Sequence, residues 1–315
     1  MIEHQYADLN GVRLHYAYSG QGNLIIFLHG FPEFWYEWKD QLAEFGRDYQ
    51  AVAPDMRGYN LSSKPAELGE YAMPHLVEDV RALAEHLGQK QFVLVAHDWG
   101  GAVAWAFALA HPEYLKGLVS INIPHPAIFQ RELQNNPAQQ QASQYMLLFR
   151  SPQAEASLSA NNYAGLVNAV LAKGLEQGHF TETDRDAYIE AWSQPGALTG
   201  GLNYYRAARI GPPSGESGET GGNYAIDQSS LTVKIPTLVI WGEQDTALLT
   251  GNLNGLEQYV PDLTVKRIPD ATHWVVHEKP ELVNAYIREF LTRVEASPGQ
   301  ARRHTNQTHD AVSSD

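Results

Sequence analysis

Residues 92–110 constrain the fold more than any other stretch. Phe92-Val93-Leu94-Val95-Ala96 is apolar at every position, so as a strand it has no face to show to water. It runs straight into His97-Asp98-Trp99-Gly100-Gly101 and then into a segment that is apolar nearly all round as a helix. A doubly buried strand followed by a buried helix belongs in a mostly parallel sheet covered by helices. The junction reads small-x-Asp-x-Gly. A sharp, strained bend of this kind tolerates only small neighbours and lifts its central side chain above the sheet at a helix N-terminus. Here that side chain is the Asp98 carboxylate. An aspartate in this place can also be a plain helix cap, so its meaning depends on the rest of the chain.

The rest repeats the alternation. Strands are predicted at Val12–Tyr18, Leu24–Leu28, Gln50–Ala53, Phe92–Ala96, Leu115–Ile121, Pro236–Trp241 and Thr264–Ile268, with helices at Pro74–Leu87, Gly100–His111 and Pro280–Glu295. Between about 132 and 224 the strand-like runs vanish, and Gln, Asn and Ala dominate. Helices are expected there at Ala138–Phe149, Asn162–Lys173, Thr181–Trp192 and Gly201–Ala208. The segment reads as a helical insertion capping the sheet, with Gly211–Asn223 as a mobile returning loop. The predicted organisation is a core of 1–131 and 225–295, a cap of 132–224 and a disordered tail of 296–315.

Three further pieces give Asp98 its context. His29-Gly30-Phe31-Pro32 follows the strand Leu24–Leu28, where a tight turn, with a cis Phe31–Pro32 peptide as one way to make it, can aim the Phe31 amide at the same point as the Trp99 amide. Trp241-Gly242-Glu243-Gln244-Asp245 ends one strand in acidic residues. Asp270-Ala271-Thr272-His273-Trp274 follows the next. Chain order is therefore Asp98, Asp245, His273: nucleophile, acid, base, with room for an insertion between the first two. A lone Asp or His after a strand is commonly structural; four pieces in order at strand ends are not a common coincidence.

These residues also resemble a known family. His29-Gly30-Phe31-Pro32-Glu33, Ala53-Pro54-Asp55-Met56-Arg57-Gly58-Tyr59, His97-Asp98-Trp99-Gly100-Gly101 and His273-Trp274 through His277-Glu278-Lys279-Pro280 are similar to motifs of the α/β-hydrolase-fold epoxide hydrolases, over roughly residues 2–295. The resemblance implies an α/β fold with a mostly parallel eight-stranded sheet, flanking helices and a helical cap. It implies Asp98 as nucleophile, His273 as base, Asp245 as its orienting acid, and oxyanion donors from the Phe31 and Trp99 backbone. In the cap, Asn203-Tyr204-Tyr205-Arg206 and Gln144-Tyr145 are similar to the family's two tyrosine motifs, which places the acid roles on Tyr205 and Tyr145. His29, Phe31, Trp99 and Tyr204 are expected to touch substrate. The implied reaction opens an epoxide to a vicinal diol through an ester on Asp98, with no cofactor and no metal.

Composition narrows the alternatives. The 315-residue chain carries a net charge of −14, which argues against nucleic acid, and it has no cysteine for disulfides or thiolate chemistry. Met1–Tyr6 has neither a basic nor an apolar targeting region, and no apolar run reaches membrane-spanning length, so a cytoplasmic monomer or homodimer acting on a small hydrophobic epoxide is expected. A haloalkane dehalogenase uses the same triad, but the Asn that commonly supplies a second halide donor is replaced by Phe31, leaving Trp99 and, as a substitute, Trp192. Fluoroacetate dehalogenases place arginines just after the nucleophile; Trp99-Gly100-Gly101-Ala102-Val103 has none. Serine esterases are excluded by Asp98 itself, and a non-catalytic receptor would show a broken triad. Asn122, at the end of the strand Leu115–Ile121, is not a carboxylate, which leaves Asp245 as the acid. His4, His15, His75 and His86 read as surface residues, and His125 as a loop residue.

Overall fold

The computed structural model describes residues 1–213 and 231–296. Its eight strands are β1 (Glu3–Leu9), β2 (Val12–Ser19), β3 (Leu24–Leu28), β4 (Gln50–Pro54), β5 (Phe92–His97), β6 (Leu115–Ile121), β7 (Thr237–Gly242) and β8 (Leu263–Ile268). They form one sheet in the order β1-β2-β4-β3-β5-β6-β7-β8. β1, β2 and β4 pair antiparallel and all other neighbours parallel. The largely apolar β3, β5 and β7 lie inside the sheet and are buried at every position, as strands covered on both faces must be.

β1 is the strand the sequence reading did not single out. It is an edge strand, mostly exposed, paired to β2 across Asn10-Gly11, whose φ angles of +48° and +83° suit a tight hairpin. That Asn-Gly pair, flanked by alternating residues, was the available signal.

The helices are α1 (Lys39–Phe45), α2 (Met73–His86), α3 (Asp98–Ala110), α4 (Pro126–Asn135), α5 (Pro137–Ala142), α6 (Tyr145–Arg150), α7 (Ala154–Leu166), α8 (Ala172–Gln177), α9 (Glu182–Ser193), α10 (Ala197–Ala208), α11 (Val275–Glu278) and α12 (Pro280–Glu295). α4 runs through the boundary expected at residues 131–132. The single helix expected over Ala138–Phe149 is two: α5 ends at Ala142, the chain turns at Ser143-Gln144, where Gln139 Nε2 donates to Ser143 Oγ at 2.9 Å, and α6 begins at Tyr145. The helix expected from Asn162 is also broken: Asn161, Asn162 and Tyr163 all adopt positive φ, and helical backbone resumes after them. Thr181 caps α9 in a capping box with Asp184. Most of the Gly211–Asn223 loop, and all but the first residue of the expected tail, lie outside the described residues.

Two apolar layers, one on each face of the sheet, make the core, and the face that carries α2 and α3 continues into the cap helices. Cap and core are joined by specific polar contacts. Trp192 Nε1 donates to Pro32 O at 2.6 Å, Tyr188 to Glu33, Tyr36 to Asp184 at 2.8 Å and Tyr204 to Arg57 O at 2.8 Å. Lys39 pairs with the same Asp184. α10 crosses the core at Gly200, where an added Cβ would stand 2.1 Å from Gly58 O. Among the described residues no helix is long and apolar enough to cross a membrane.

Gly200→Ala forces backbone against backbone at that crossing. It is expected to cost about 1–3 kcal/mol, read as a lower urea midpoint with an unchanged slope.

Candidate active site

Asp98 is the first residue of α3 and has φ +47°, a left-handed conformation that costs a non-glycine residue about 1–2 kcal/mol. Its neighbours are glycines because nothing larger fits. A Cβ on Gly100 would lie 2.3 Å from Leu28 O, and one on Gly101 2.1 Å from Ile123 Cγ2. Gly30 approaches from the β3 loop so closely that a Cβ there would be 2.3 Å from Asp98 Cβ. The bend thus delivers a carboxylate to a fixed point above the sheet.

The other predicted pieces converge on it. Phe31 N donates to Asp98 Oδ1 at 2.8 Å, from a turn containing a cis Phe31–Pro32 peptide. His273 Nε2 stands 3.5 Å from Asp98 Oδ2, and its Nδ1 is 2.7 Å from Asp245 Oδ2. Asp245 is buried but well supplied with donors: Ala247 N at 2.8 Å and Leu248 N at 2.9 Å reach Oδ1, and Asn122 Nδ2 at 2.8 Å reaches Oδ2. Trp99 follows in the first turn of α3, where backbone N–H groups have no partner inside the helix.

Electrostatics follow from this packing. Burial alone would raise the Asp98 pKa, but the hydrogen bond and charge of His273, with help from His97 and the Phe31 amide, outweigh it and hold the carboxyl below its usual range. Asp245 is lowered in the same way, burial being overcome by His273 and then by its amide donors. For His273 the signs reverse: burial depresses it, and the two carboxylates together raise it well above an ordinary imidazole. Each carboxylate thus favours the protonated imidazole that lies between them, against its burial.

Tyr145 and Tyr205 face this group from the cap, on α6 and α10, and both line the cavity that Asp98 opens into. Their rings are 6.3 Å apart, and Tyr205 also stands edge-on to Trp99 at 5.0 Å. Burial pushes both phenols well above their usual pKa. The nearby Asp98 charge adds to this for each, so they remain protonated donors at neutral pH. The cavity and the open solvent at its mouth together span about 870 Å³. Its wall is otherwise mainly apolar, with Met73, Ala102, Ala106, Phe129, Met146 and Leu248 among its residues.

The scaffold and the chemistry match known proteins. A family described as alpha/beta hydrolase fold matches residues 23–280. The AB hydrolase superfamily protein YfhM of Bacillus subtilis is 39% identical over 296 residues, covering 92% of this chain and 98% of that protein. Epoxide hydrolase 2 of Caenorhabditis elegans is 35% identical over 295 residues, covering 91% of this chain and 79% of that protein. The crystal structure of a Bacillus megaterium epoxide hydrolase with an inhibitor superposes with a TM-score of 0.86 at 41% identity, covering 91% of this chain and 100% of that one.

This chain belongs to the epoxide hydrolases of the α/β-hydrolase fold.

Set in this epoxide hydrolase fold, several expected contacts need correction. His29 does not face substrate. It is fully buried, its Nε2 accepting from Met56 N at 3.0 Å and its Nδ1 lying 2.9 Å from Gly30 O, so both nitrogens are spent on shaping the loop. Tyr204 turns away from the cavity to donate to Arg57 O, because consecutive residues of α10 point in different directions. The Phe31 side chain packs behind the site on Phe149 (5.2 Å) and Tyr205 (5.7 Å) and is not on the cavity wall; only its amide reaches Asp98. His15 is no surface residue: it is buried, with Nδ1 2.6 Å from Asp55 Oδ2. His125 is buried too, contacting Leu231 O at 3.0 Å and accepting from Ala127 N at 3.3 Å to cap α4; burial lowers it to about 4, so it stays neutral.

Three supporting residues were missed. Asn122, read only as a missing carboxylate, is the donor that reaches Asp245 and accepts from Gly242 N at 2.7 Å. Buried Gln139 binds Ala247 O, Leu249 N and Asn252, holding the loop after Asp245. His97 Nε2 contacts His273 O at 2.9 Å, fixing the loop that carries the base. No local pattern marks such residues, since each acts on a partner far along the chain.

Asn122→Ala is expected to lower stability by about 1–3 kcal/mol by stranding the buried Gly242 amide and withdrawing a donor from Asp245. Thermal unfolding beside kcat/KM would check it, and an unchanged value in both would remove Asn122 from the site.

Proposed function

We propose that this protein opens a small hydrophobic epoxide to a vicinal diol through a covalent ester on Asp98. The observation that carries the reading is one geometry: an ionised, enclosed Asp98 with a backbone donor on Oδ1, His273 behind Oδ2, and two protonated phenols on the same cavity.

Asp98 attacks an oxirane carbon, the carbon–oxygen bond breaks, and the oxygen takes negative charge. Tyr145 and Tyr205 stabilise that charge by hydrogen bonding and supply its proton. Forming the ester removes one of the two charges that hold His273 protonated. The imidazole pKa then falls toward the value set by burial and Asp245 alone; its proton restores the phenolate left by the first step, and the neutral His273 can deprotonate water. Hydroxide attacks the ester carbonyl of Asp98. The tetrahedral oxyanion collapses with cleavage of the bond from that carbon to the substrate oxygen, the diol alkoxide takes a proton from the imidazolium, and the Asp98 carboxyl gives its proton back to His273. The Phe31 amide, with Trp99 as second donor, holds the oxyanion, each worth about 3 kcal/mol in comparable acyl chemistry. Asp245 keeps the imidazole tautomer and bears its charge.

Dehalogenation of a haloalkane uses the same nucleophile but is less well supported. Trp192, the spare indole donor, is committed to Pro32 O, and two phenols suit an alkoxide that must be protonated, not a halide that leaves as an anion. We further propose a cap of 132–224 over a core of 1–131 and 225–295, and action in the cytoplasm as a monomer or homodimer.

A single turnover in heavy-oxygen water tests the ester: label should enter the Asp98 carboxylate before it appears in diol. Label found only in the first diol sinks the mechanism. His273→Gln should leave the ester undischarged, so intact mass rises by the mass of the epoxide; wild type quenched near pH 5, roughly below an ordinary imidazole pKa, should show a smaller amount of the same adduct. Tyr205→Phe should slow ester formation about 10²-fold or more in rapid-quench measurements, with melting temperature little changed.

A further inference from the structure

The cavity beside Asp98 continues well past the reacting groups. Ala102, Ala106 and Leu109 follow Asp98 at intervals of four, eight and eleven residues, so they lie on one face of α3 and all line the cavity. At 1.5 Å per residue this wall is about 16 Å long. Pro126, Phe129, Gln130 and Leu133 of α4 repeat on one helical face in the same way and form an opposing wall.

Gln130 is the exception on that wall. Apart from Asp98, Trp99, Tyr145 and Tyr205, it is the sole polar side chain lining the cavity among the described residues. It is half-buried, and its carboxamide has no hydrogen-bond partner there. Gln139 and Gln140, farther along the cap base, both donate to backbone carbonyls. No lysine, arginine or histidine lines the cavity among the described residues, so an anionic group at Gln130 would find no counter-charge.

Resting on the epoxide reading, we propose that Gln130 is a specificity-determining residue that hydrogen-bonds a neutral oxygen carried by the substrate's tail. The favoured substrates are elongated apolar epoxides with one ether, hydroxyl or carbonyl oxygen set back from the oxirane. When such a tail fills the cavity, the carboxamide exchanges water for substrate oxygen. An all-carbon tail strips the water and leaves the carboxamide unpaired, a penalty that discriminates between substrates of equal length.

The test is a panel of terminal epoxides of one chain length, in which an ether oxygen replaces each chain methylene in turn, assayed as kcat/KM with wild type and Gln130→Leu. In wild type one oxygen position should stand out from its neighbours. Gln130→Leu should lose about five-fold on that substrate, mainly through KM, while turning over the all-carbon epoxide as well as wild type or better. Activity on the all-carbon member shows that the variant is folded. Equal losses on every member, or a wild-type profile without a favoured position, overturn the role of Gln130 while leaving epoxide opening intact. Failure of wild type to hydrolyse any member overturns the epoxide reading, and this inference with it.

Discussion

A carboxylate enclosed by protein stays ionised only if its charge is answered nearby, and the architecture around Asp98 is organised by that requirement. Desolvation works against the charge, and the imidazolium of His273, the Phe31 amide and the start of α3 work for it. Asp245 repeats the arrangement one step further from the substrate, with two backbone amides and Asn122 as its donors. Each group is in its reactive protonation state because of the next. In the mechanism proposed above, the same coupling lets one imidazole serve two steps, favoured as a cation while Asp98 is charged and freed as a base once Asp98 is esterified.

The backbone carries part of this load. Asp98 and Asn122, at the ends of neighbouring strands β5 and β6, both hold positive φ, and both send their side chains into the same hydrogen-bonded cluster. Such conformations persist where surrounding contacts over-determine them. Here those contacts are glycines packed against carbonyls on one side and cap helices docked by Trp192, Tyr188 and Tyr204 on the other. The cap therefore does more than cover the cavity. It brings Tyr145 and Tyr205 to the cavity that Asp98 opens into and buries both phenol groups there.

Much of this was legible beforehand because it is written in local chemistry. Strands β3 and β5 were readable almost to the residue, since doubly buried strands are apolar nearly throughout. β1 was not, because an exposed edge strand needs no such pattern. Cap helices were harder: a turn at Ser143-Gln144 divided one, and a run of left-handed residues broke another. His29 and Tyr204 show the same limit at the level of side chains. Each sits inside the right motif, yet its polar atoms are consumed by backbone partners at Met56 and Arg57.

Sequence alone determined the chemical kind of this protein: a carboxylate at a strand-to-helix bend, with an acid and a base at later strand ends, because covalent strain at a tight bend and burial of a strand leave few residue choices. Tertiary structure decided everything that depends on distance between remote segments. It selected Asn122 as the partner of Asp245, turned Tyr204 away from the cavity, and left the Gln130 amide without a hydrogen-bond partner among the described residues on an apolar wall. Charge and hydrogen bonding act over a few ångströms, and only the folded chain sets which groups lie that close.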